Sequence, residues 1–421
     1  MTARNILMSA AGNGGPSGYY YYLTPSAAYY AKRFQGIQPL SSGWMISGNN
    51  YIGTTVKYFV LTLNAVGQVL NYREDSSYGY SNIGGMHLGG SKVLSGDVVP
   101  MSQGINTLIG CVNSTPAYTN TPSQVFPSYA SPNLQCVDVS TSTSFSSSQY
   151  NYDPEYGGTY YYYGASNAVN GTVNWVKRID SGPWSYPFAA TMRANDATNV
   201  WFSVQNNNAS YGGLLAFNKT TGVISSAFTM TGQPCGISAF SDESGNLYLG
   251  SYNGDLTKIS TSNTVLWSKR YFDQSTSQNY GYMQACFYDN AIYVVAGNHP
   301  NGVYLSKISP SDGSVIWSVK FPALYSTSSI SVSQNGIMFA AIDNNGSGLE
   351  KSFLINYPLV GGIFGTFGIL TLSTMTTAVI DHSVTIQTAS GPNLTSLSGS
   401  TTTYQSSLGT ATNPLSTKVT I

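Results

Sequence analysis

A β-hairpin that recurs along the chain is the feature that most constrains the fold. Residues 214–228, LLAFNKTTGVISSAF, contain an apolar strand, a polar turn with Gly222 and a second strand, which is the pattern of a β-hairpin. Related hairpins lie at 62–71, 165–175, 258–267 and 307–317. Copies of one hairpin predict a repeat architecture, in which stacked units bury a shared core.

A second recurring element, a turn followed by an apolar strand, gives the spacing of the repeat. Its starts are Met45, Ile105, Thr159, Val200, Leu247, Ile292 and Ile337. The last four starts are 47, 45 and 45 residues apart. This spacing is typical of one four-stranded blade of a β-propeller. We therefore predict an all-β propeller of seven blades, with six remaining if one start is false.

The repeat divides the chain into three parts. Residues 1–40 do not fit it and are predicted to form an N-terminal arm, while residues 41–372 form the propeller. Residues 373–421, rich in Ser, Thr and Gly, are predicted to form a C-terminal β extension. This extension could close the ring, because an unpaired outer strand exposes an edge, or it could pair with another subunit. We expect the end of the extension to serve assembly.

The hairpins resemble the repeat of quinoprotein-type propellers, whose pattern runs Ala-x-Asp-x-x-Thr-Gly-x-x-x-Trp. The matching positions are Ala216, Asn218, Thr221 and Gly222, then Ala165, Asn167, Gly171 and Trp175, and then Gly313 with Trp317. The match covers residues 160–330 well and 45–75 fairly. In that family each Trp packs against the neighbouring blade and the Gly permits the tight turn. The resemblance implies these structural roles for Gly171, Trp175, Gly222, Trp267, Gly313 and Trp317.

The same resemblance does not bring a cofactor with it. Many propellers of this type bind no quinone, and this chain has neither an adjacent Cys pair nor a clear carboxylate cluster for the calcium ion that such a cofactor needs. We therefore expect no cofactor and no metal.

The composition favours a protein that binds other molecules through uncharged surface residues. Charged residues are 8% of the chain, and 17 Lys+Arg balance 17 Asp+Glu, so no basic field would attract nucleic acid. The 33 Tyr residues would suit a binding surface, although Tyr is also a good strand residue. A charge-poor β-protein rich in Tyr, Ser, Gly and Asn, with extra terminal segments, resembles a structural or adhesive component of a bacteriophage particle.

Binding is predicted in two segments that look like long loops on one face, 122–133 and 144–158. Long aromatic loops often carry function in such folds, although they could also be tolerated insertions. The candidate binding residues are Tyr150, Tyr152, Tyr156, Tyr160 and Tyr161.

Candidates for catalysis or metal binding are few. The three histidines, at positions 87, 299 and 382, lie far apart in the sequence. Asp153 and Glu155 could act as paired carboxylates on a sugar, but their spacing beside Pro154 favours a solvated loop. Asp242 and Glu243 could contact calcium, but a turn is the simpler interpretation. We predict no catalytic residue and no enzyme activity.

The four cysteines show no metal-binding spacing. Free buried thiols are expected, while a disulfide between Cys111 and Cys136 stays open. The uncharged stretch 353–372 contains Asn, Pro and several Gly and Thr residues, which favour strands over a membrane span. The apolar run 6–8 is short for a signal core, which predicts that no leader is cleaved.

Two functional hypotheses follow. The first is a non-enzymatic structural or adhesive virion protein, a phage tail, fibre or decoration component present in many copies. Its partners would be other virion subunits, including copies of itself, and a glycan or protein of the host surface. The alternative is a secreted microbial propeller that binds or cleaves glycans. An intracellular scaffold propeller is disfavoured by the low charge.

Overall fold

In the part of the chain that the computed structural model describes, there are strands and turns but no helix. The described residues are 18–23, 33–40, 42–52, 55–75, 87–88, 98–103, 106–113, 115–118, 133–138, 140–153, 158–167, 172–179, 184–206, 212–232, 236–298, 300–343, 351–397, 408–410 and 418–421.

The described strands form seven antiparallel sheets, and each sheet is one blade built from strands that follow one another in the sequence. The first strand of the chain, which belongs to the last blade, is β1 (Tyr19–Leu23). Blade 1 consists of β2 (Arg33–Leu40), β3 (Gly43–Ile52), β4 (Thr55–Asn64) and β5 (Val69–Asp75). Blade 2 consists of β6 (His87–Leu88), β7 (Val98–Gln103), β8 (Asn106–Asn113) and β9 (Thr115–Tyr118). Blade 3 consists of β10 (Asn133–Asp138), β11 (Thr143–Asp153), β12 (Gly158–Asn167) and β13 (Val173–Ile179). Blade 4 consists of β14 (Trp184–Thr191), β15 (Asn199–Asn206), β16 (Gly212–Asn218) and β17 (Ile224–Thr231).

The remaining blades follow the same plan. Blade 5 consists of β18 (Gly236–Ser241), β19 (Leu247–Ser251), β20 (Asp255–Ile259) and β21 (Val265–Asp273), with the short β22 (Gln278–Asn279) beside it. Blade 6 consists of β23 (Tyr282–Tyr288), β24 (Ala291–Asn298), β25 (Gly302–Ile308) and β26 (Val315–Phe321). Blade 7 consists of β27 (Leu324–Ser333), β28 (Gly336–Asp343), β29 (Ser352–Tyr357) and β1.

The blades form a closed ring. The first strand of each blade contacts the first strand of the next, from blade 1 through blade 7 and back to blade 1. The first strands therefore line the central axis, and the fourth strands lie at the periphery. This arrangement confirms the predicted all-β propeller. The described sheets correspond to seven blades, within the six or seven that the repeat spacing allowed.

An N-terminal strand closes the ring. β1 pairs antiparallel with β29, and Tyr20 lies opposite Ile355, so the two ends of the propeller share blade 7. Residues 19–23 and 33–40, which the sequence placed in an N-terminal arm, thus lie in blades 7 and 1. The hairpin pattern could not reveal this, because the partner of β1 is more than three hundred positions away in the sequence.

The C-terminal segment runs around the outside of the ring. Its strands are β30 (Gly365–Phe367), β31 (Leu370–Thr374), β32 (Thr377–Asp381), β33 (Thr385–Thr388), β34 (Leu394–Leu397), β35 (Leu408–Thr410) and β36 (Val419–Thr420). From β31 to β36 they pair antiparallel with the fourth strands of blades 6, 5, 4, 3, 1 and 7, in that order. The tail therefore travels backward around the ring and covers blade edges that would otherwise be open. The sequence had left open whether the tail closes the ring or pairs with another subunit. The ring is closed by β1 and the described tail strands pair with the fourth strands of six blades, while pairing with another subunit stays a prediction.

The hydrophobic core is divided into layers between neighbouring blades. Between blades 3 and 4, for example, Tyr163 stacks on Phe217 with ring centroids 4.9 Å apart. Between blades 5 and 6, Tyr280 stacks on Tyr304 at 4.9 Å. Many of the tyrosines are thus core residues, and their hydroxyls need partners inside the protein.

Two predicted segments are placed differently or more clearly by the structure. Thr159 was predicted as a start of the recurring apolar strand. The described starts Met45, Val200, Leu247, Ile292 and Ile337 lie on the second strands of their blades, but Thr159 lies in β12, the third strand of blade 3. The true second strand, β11, is too polar to show the apolar pattern of its counterparts. The uncharged stretch 353–372 forms β29, β30 and part of β31, as the strand prediction required. No helix in the described residues is long and apolar enough to cross a membrane.

Candidate functional site

A contact between Trp and Gly joins consecutive blades at the turns between their third and fourth strands. Gly222 has φ +66°, and a Cβ there would lie 2.6 Å from the Trp175 ring of blade 3. Gly313, with φ +74°, is similarly covered by Trp267 of blade 5. Only glycine combines this φ with so close a neighbour. The Trp175 indole also donates a hydrogen bond to the Lys219 carbonyl oxygen at 2.8 Å, which fixes the ring over the turn.

An aromatic ring also covers a turn glycine in blades 7 and 1, where the hairpin pattern of the sequence is weak. Trp317 covers Gly361 of blade 7, and across the closure Tyr19 covers Gly67 of blade 1. The Tyr21 hydroxyl donates to the Gly67 carbonyl oxygen at 2.5 Å. A tyrosine from the N-terminal strand therefore replaces Trp at the ring closure. Of the predicted repeat positions, Gly171 alone lies outside the described residues.

A β-bulge follows each of these turns in five blades. The fourth strand carries one extra residue relative to the third, just before the Trp position or its equivalent. A bulge directs its extra residue away from the regular alternation of the strand. The extra residues, all exposed, are Leu70, Asn174, Ser225, Leu266 and Ile316.

The bulges and turns place exposed aliphatic side chains on one face of the propeller. All turns between third and fourth strands lie at the same end of their blades, since the blades repeat around one axis. The exposed large aliphatic residues at this end, which we call the aliphatic face, are Val66, Leu70, Val223, Leu266, Ile316 and Val360. They are between 48% and 79% exposed. Surface aliphatic residues are common singly, but here the bulge position is aliphatic in blades 1, 5 and 6, and a valine lies beside the turn glycine in blades 1, 4 and 7.

Charged residues hold blades together near the same end. Lys219 of blade 4 contacts Asp138 of blade 3 at 2.8 Å. The buried guanidinium of Arg193 in blade 4 donates to the Ser260 carbonyl oxygen of blade 5 at 2.8 Å and lies over the Trp201 ring. These charged side chains therefore link neighbouring blades.

Charge pairing also shifts the pKa of buried carboxylates. Burial alone would raise the pKa of Asp273, but hydrogen bonds from Lys320 and Ser275 outweigh it and hold the pKa below its usual value of 3.8. Lys320 of blade 6 lies 2.7 Å from Asp273 of blade 5, so this pair joins two blades. Such a site stays ionised at neutral pH and suits an ion pair better than acid–base catalysis.

The described candidates for catalysis and metal binding contact their own turns or nearby backbone. Asp242 accepts hydrogen bonds from the Asn246 amide and the Tyr248 hydroxyl, each at 2.9 Å, and thus stabilises its own turn. The His382 ring contacts the Gly232 carbonyl oxygen at 2.6 Å. His299 and Glu155 lie outside the described residues. Among the described part of the chain, no three His, Cys, Asp or Glu residues come together as a metal site.

The cysteines that the structure describes are free thiols. Cys136 is buried and unpaired, so the disulfide with Cys111 that the sequence left open is not formed. Burial raises the pKa of Cys136, and it raises the pKa of Cys286 to about 12. Such thiols are poor nucleophiles at neutral pH.

The predicted Tyr-rich loop is instead a long β-hairpin. Tyr150 and Tyr152 lie on β11, and the backbone of Tyr150 pairs with that of Tyr160 on β12. Tyr160 and Tyr161 are half-buried against hydrophobic clusters on opposite faces of blade 3, and Arg178 lies 4.5 Å from the centroid of the Tyr160 ring. Tyr156 lies outside the described residues. The loop interpretation failed because alternating Ser and Tyr residues satisfy strand pairing without a continuous apolar run.

The aliphatic face was not found from the sequence. Its signal is present, since the pairs Val265–Leu266 and Val315–Ile316 both precede a Trp. Strand alternation would bury one member of each pair, and only the observed bulge shows that Leu266 and Ile316 are the exposed ones.

Known structures resemble this chain at low sequence identity. No protein-family model matches the sequence, and no curated protein matches it. Among solved structures, the chain is similar to BamB from Moraxella catarrhalis, with 13% identity, coverage of 77% of this chain and 85% of that one, and a TM-score of 0.36. It is also similar to BBS1N in complex with ARL6DN, with 10% identity, coverage of 73% and 89%, and a TM-score of 0.42. A third is Chaetomium thermophilum Sqt1 bound to the N-terminus of the ribosomal protein L10, with 8% identity, coverage of 78% and 99%, and a TM-score of 0.47.

Proposed function

We propose that this chain is a non-enzymatic structural and adhesive protein, a phage tail, fibre or decoration component that assembles in many copies through its aliphatic face. The observation that carries the proposal is the group of exposed aliphatic residues at the bulges and turns of five blades, all on one end of the propeller. The charge-poor, Tyr-rich composition supports the virion setting.

The size of the aliphatic face favours a multi-copy assembly. Burying a Val, Leu or Ile side chain completely contributes about 1.5–3 kcal/mol, so six roughly half-exposed side chains contribute about 5–9 kcal/mol in all. Association costs about 4–15 kcal/mol in lost freedom of motion. One such contact is therefore weak alone, and strength would come from several copies bound at once.

Light scattering of the full chain over a range of concentrations tests the assembly role. The double variant Leu266→Ser/Ile316→Ser removes two aliphatic residues that are 54% and 55% exposed. We expect the wild-type chain to form oligomers that this variant shifts toward monomer. Ile380→Ser is the matched control, because Ile380 is 49% exposed but lies on β32 at the periphery.

Two outcomes would count against the assembly role. One is a wild-type chain that stays monomeric at every concentration; the other is equal loss of oligomers in the control and the double variant. The termini should stay intact in this experiment, since cutting the chain to residues 41–372 would remove β1 and β2 from the ring.

Mass spectrometry of virus particles purified from the chain's natural source tests the virion setting separately. Recovery of the chain in fixed proportion to other particle proteins supports it, and absence from purified particles refutes it. The secreted glycan-binding alternative predicts recovery from the surrounding medium instead.

A further inference from the structure

Three aromatic rings from three neighbouring blades form a continuous surface at the end of the propeller opposite the aliphatic face. The Tyr252 ring lies between Phe188 and Tyr282, with centroid distances of 5.8 Å and 5.3 Å. Both contacts are edge-to-face, at 82° and 63°. Tyr252 follows the second strand of blade 5, whereas Phe188 and Tyr282 lie on the first strands of blades 4 and 6, near the central axis.

These rings are open to solvent to an unusual degree for this protein. Tyr252 and Tyr282 are 42% and 37% exposed, and Phe188 is half-buried. The other large hydrophobic residues that the described chain exposes are all aliphatic. Phe188 is also the extra residue of a β-bulge in β14, between Pro187 and Ala189, so the strand departs from its regular alternation there.

The turn that carries Tyr252 is held rigidly. The Ser251 hydroxyl accepts hydrogen bonds from the amides of Asn253 and Asp255, both at 3.2 Å. The Gly254 carbonyl oxygen accepts one from the Tyr271 amide at 3.0 Å. A ring presented by a fixed turn loses little freedom when a ligand binds, which favours affinity.

The chemistry around the rings favours a neutral, hydroxyl-rich ligand. Arg270 beside this turn is paired with the buried Asp255, through nitrogen–oxygen distances of 2.6 Å and 3.1 Å. Gln284, two residues further along β23, lies on the same face of the strand as Tyr282. Asn253, next to Tyr252 in the same turn, is an exposed residue with an amide side chain. Rings for stacking, amides for hydrogen bonds and balanced charge fit a pyranose sugar, which has C–H groups on its faces and hydroxyls at its edge.

We infer that Phe188, Tyr252 and Tyr282 form a binding site for a neutral glycan, in which a pyranose ring stacks on Tyr252. The inference rests on the adhesive part of the proposed function and names its ligand class. It places host contact and subunit contact on opposite ends of the propeller, so that a copy held in an assembly would keep its aromatic end exposed.

Isothermal titration calorimetry with maltotriose, cellotriose, chitotriose and galactotriose, followed by a glycan microarray, tests the site. We expect at least one neutral oligosaccharide to bind the full chain. Tyr252→Ala should weaken binding about tenfold through loss of one stacking ring, whereas Tyr252→Phe should largely preserve it. Tyr282→Ala should weaken it as well. Ile380→Ser, on β32 at the periphery, is the control and should bind as the wild type does.

The inference is overturned if no oligosaccharide of the panel or the array binds, or if Tyr252→Ala and Tyr282→Ala both bind as tightly as the wild type. Thermal melting of each variant shows that a loss of binding is not a loss of folding. Assembly is followed by light scattering of the Leu266→Ser/Ile316→Ser variant and glycan binding by calorimetry, so glycan binding can succeed while assembly fails, or the reverse.

Discussion

Replacing Gly222 by Ala tests whether the Trp–Gly contact between blades stabilises the ring. Gly222 has φ +66°, which costs an alanine about 1–2 kcal/mol. The new Cβ would also lie 2.6 Å from the Trp175 ring, and relieving such an overlap typically costs about 1–3 kcal/mol. The variant should therefore lose about 2–5 kcal/mol of unfolding free energy.

Gly362 provides a matched control for the backbone strain alone. Its φ is +77°, but no atom lies within 4 Å of the position that a Cβ would take. Gly362→Ala should lose only about 1–2 kcal/mol. For 421 residues with an unfolding entropy of about 2.1 cal/mol/K per residue, a loss of 1 kcal/mol in unfolding free energy lowers Tm by roughly 1 °C. Gly222→Ala should thus melt about 1–3 °C below the control in differential scanning calorimetry.

A double-mutant cycle separates the contact from the strain. In a Trp175→Leu background the ring is gone, so Gly222→Ala should cost no more than Gly362→Ala does in the wild type. The reasoning is refuted if Gly222→Ala and Gly362→Ala melt together in the wild-type background, or if removing the Trp175 ring leaves the cost of Gly222→Ala unchanged.

Three further predictions follow from the tail, the ion pairs and the thiols. Ending the chain after Thr374 removes β32 to β36 and opens four or more blade edges, so static light scattering should detect aggregation at a lower temperature; an unchanged onset would show that the tail does not protect these edges. The pKa of Asp273 is lower in the folded protein than in the unfolded chain, so ionised Asp273 contributes stability that is present above pH 3.8 and declines as the pH falls further. Asp273→Asn should therefore lose less Tm than the wild type when the pH is lowered. Equal loss of Tm with acid in the two proteins would contradict this. Cys286 is half-buried and burial raises its pKa to about 12, so it should react with iodoacetamide at pH 8 much more slowly in the native protein than after unfolding, as measured by mass spectrometry; equal labelling rates would contradict the raised pKa.

The parts of the fold that depend on neighbouring residues in the sequence were predictable. The hairpins at 62–71, 165–175, 214–228, 258–267 and 307–317 are the third and fourth strands of blades 1, 3, 4, 5 and 6. Each hairpin needs only two adjacent strands and a turn with its own residue requirements, so its pattern is complete within a short window.

The parts that depend on distant pairing were not predictable. β1 is apolar at every position, but nothing in YYYYL specifies β29 as its partner. The tail strands are two to five residues long, and their order around the ring is the reverse of the blade order. Strands this short carry little register information, and the geometry of the ring decides which edge each one meets.

The candidate binding surfaces were missed for a related reason. Tyr252, Phe188 and Tyr282 come from three blades and meet only when the ring is closed. Leu266 and Ile316 are exposed because of bulges, which appear in the register of two strands and not in the pattern of one. The sequence instead drew attention to clustered tyrosines such as Tyr160 and Tyr161, which the structure places half-buried on strands.

Hydroxyl-radical footprinting of the full chain, as monomer and as assembly, tests the central claim most directly. The claim is that the aliphatic face is the surface through which copies meet. We predict that Leu266, Ile316 and Val360 become protected on assembly, while Ile380 at the periphery and Tyr252 at the opposite end keep their reactivity. Protection of Ile380 or Tyr252, with the aliphatic face still reactive in the assembly, would contradict the account.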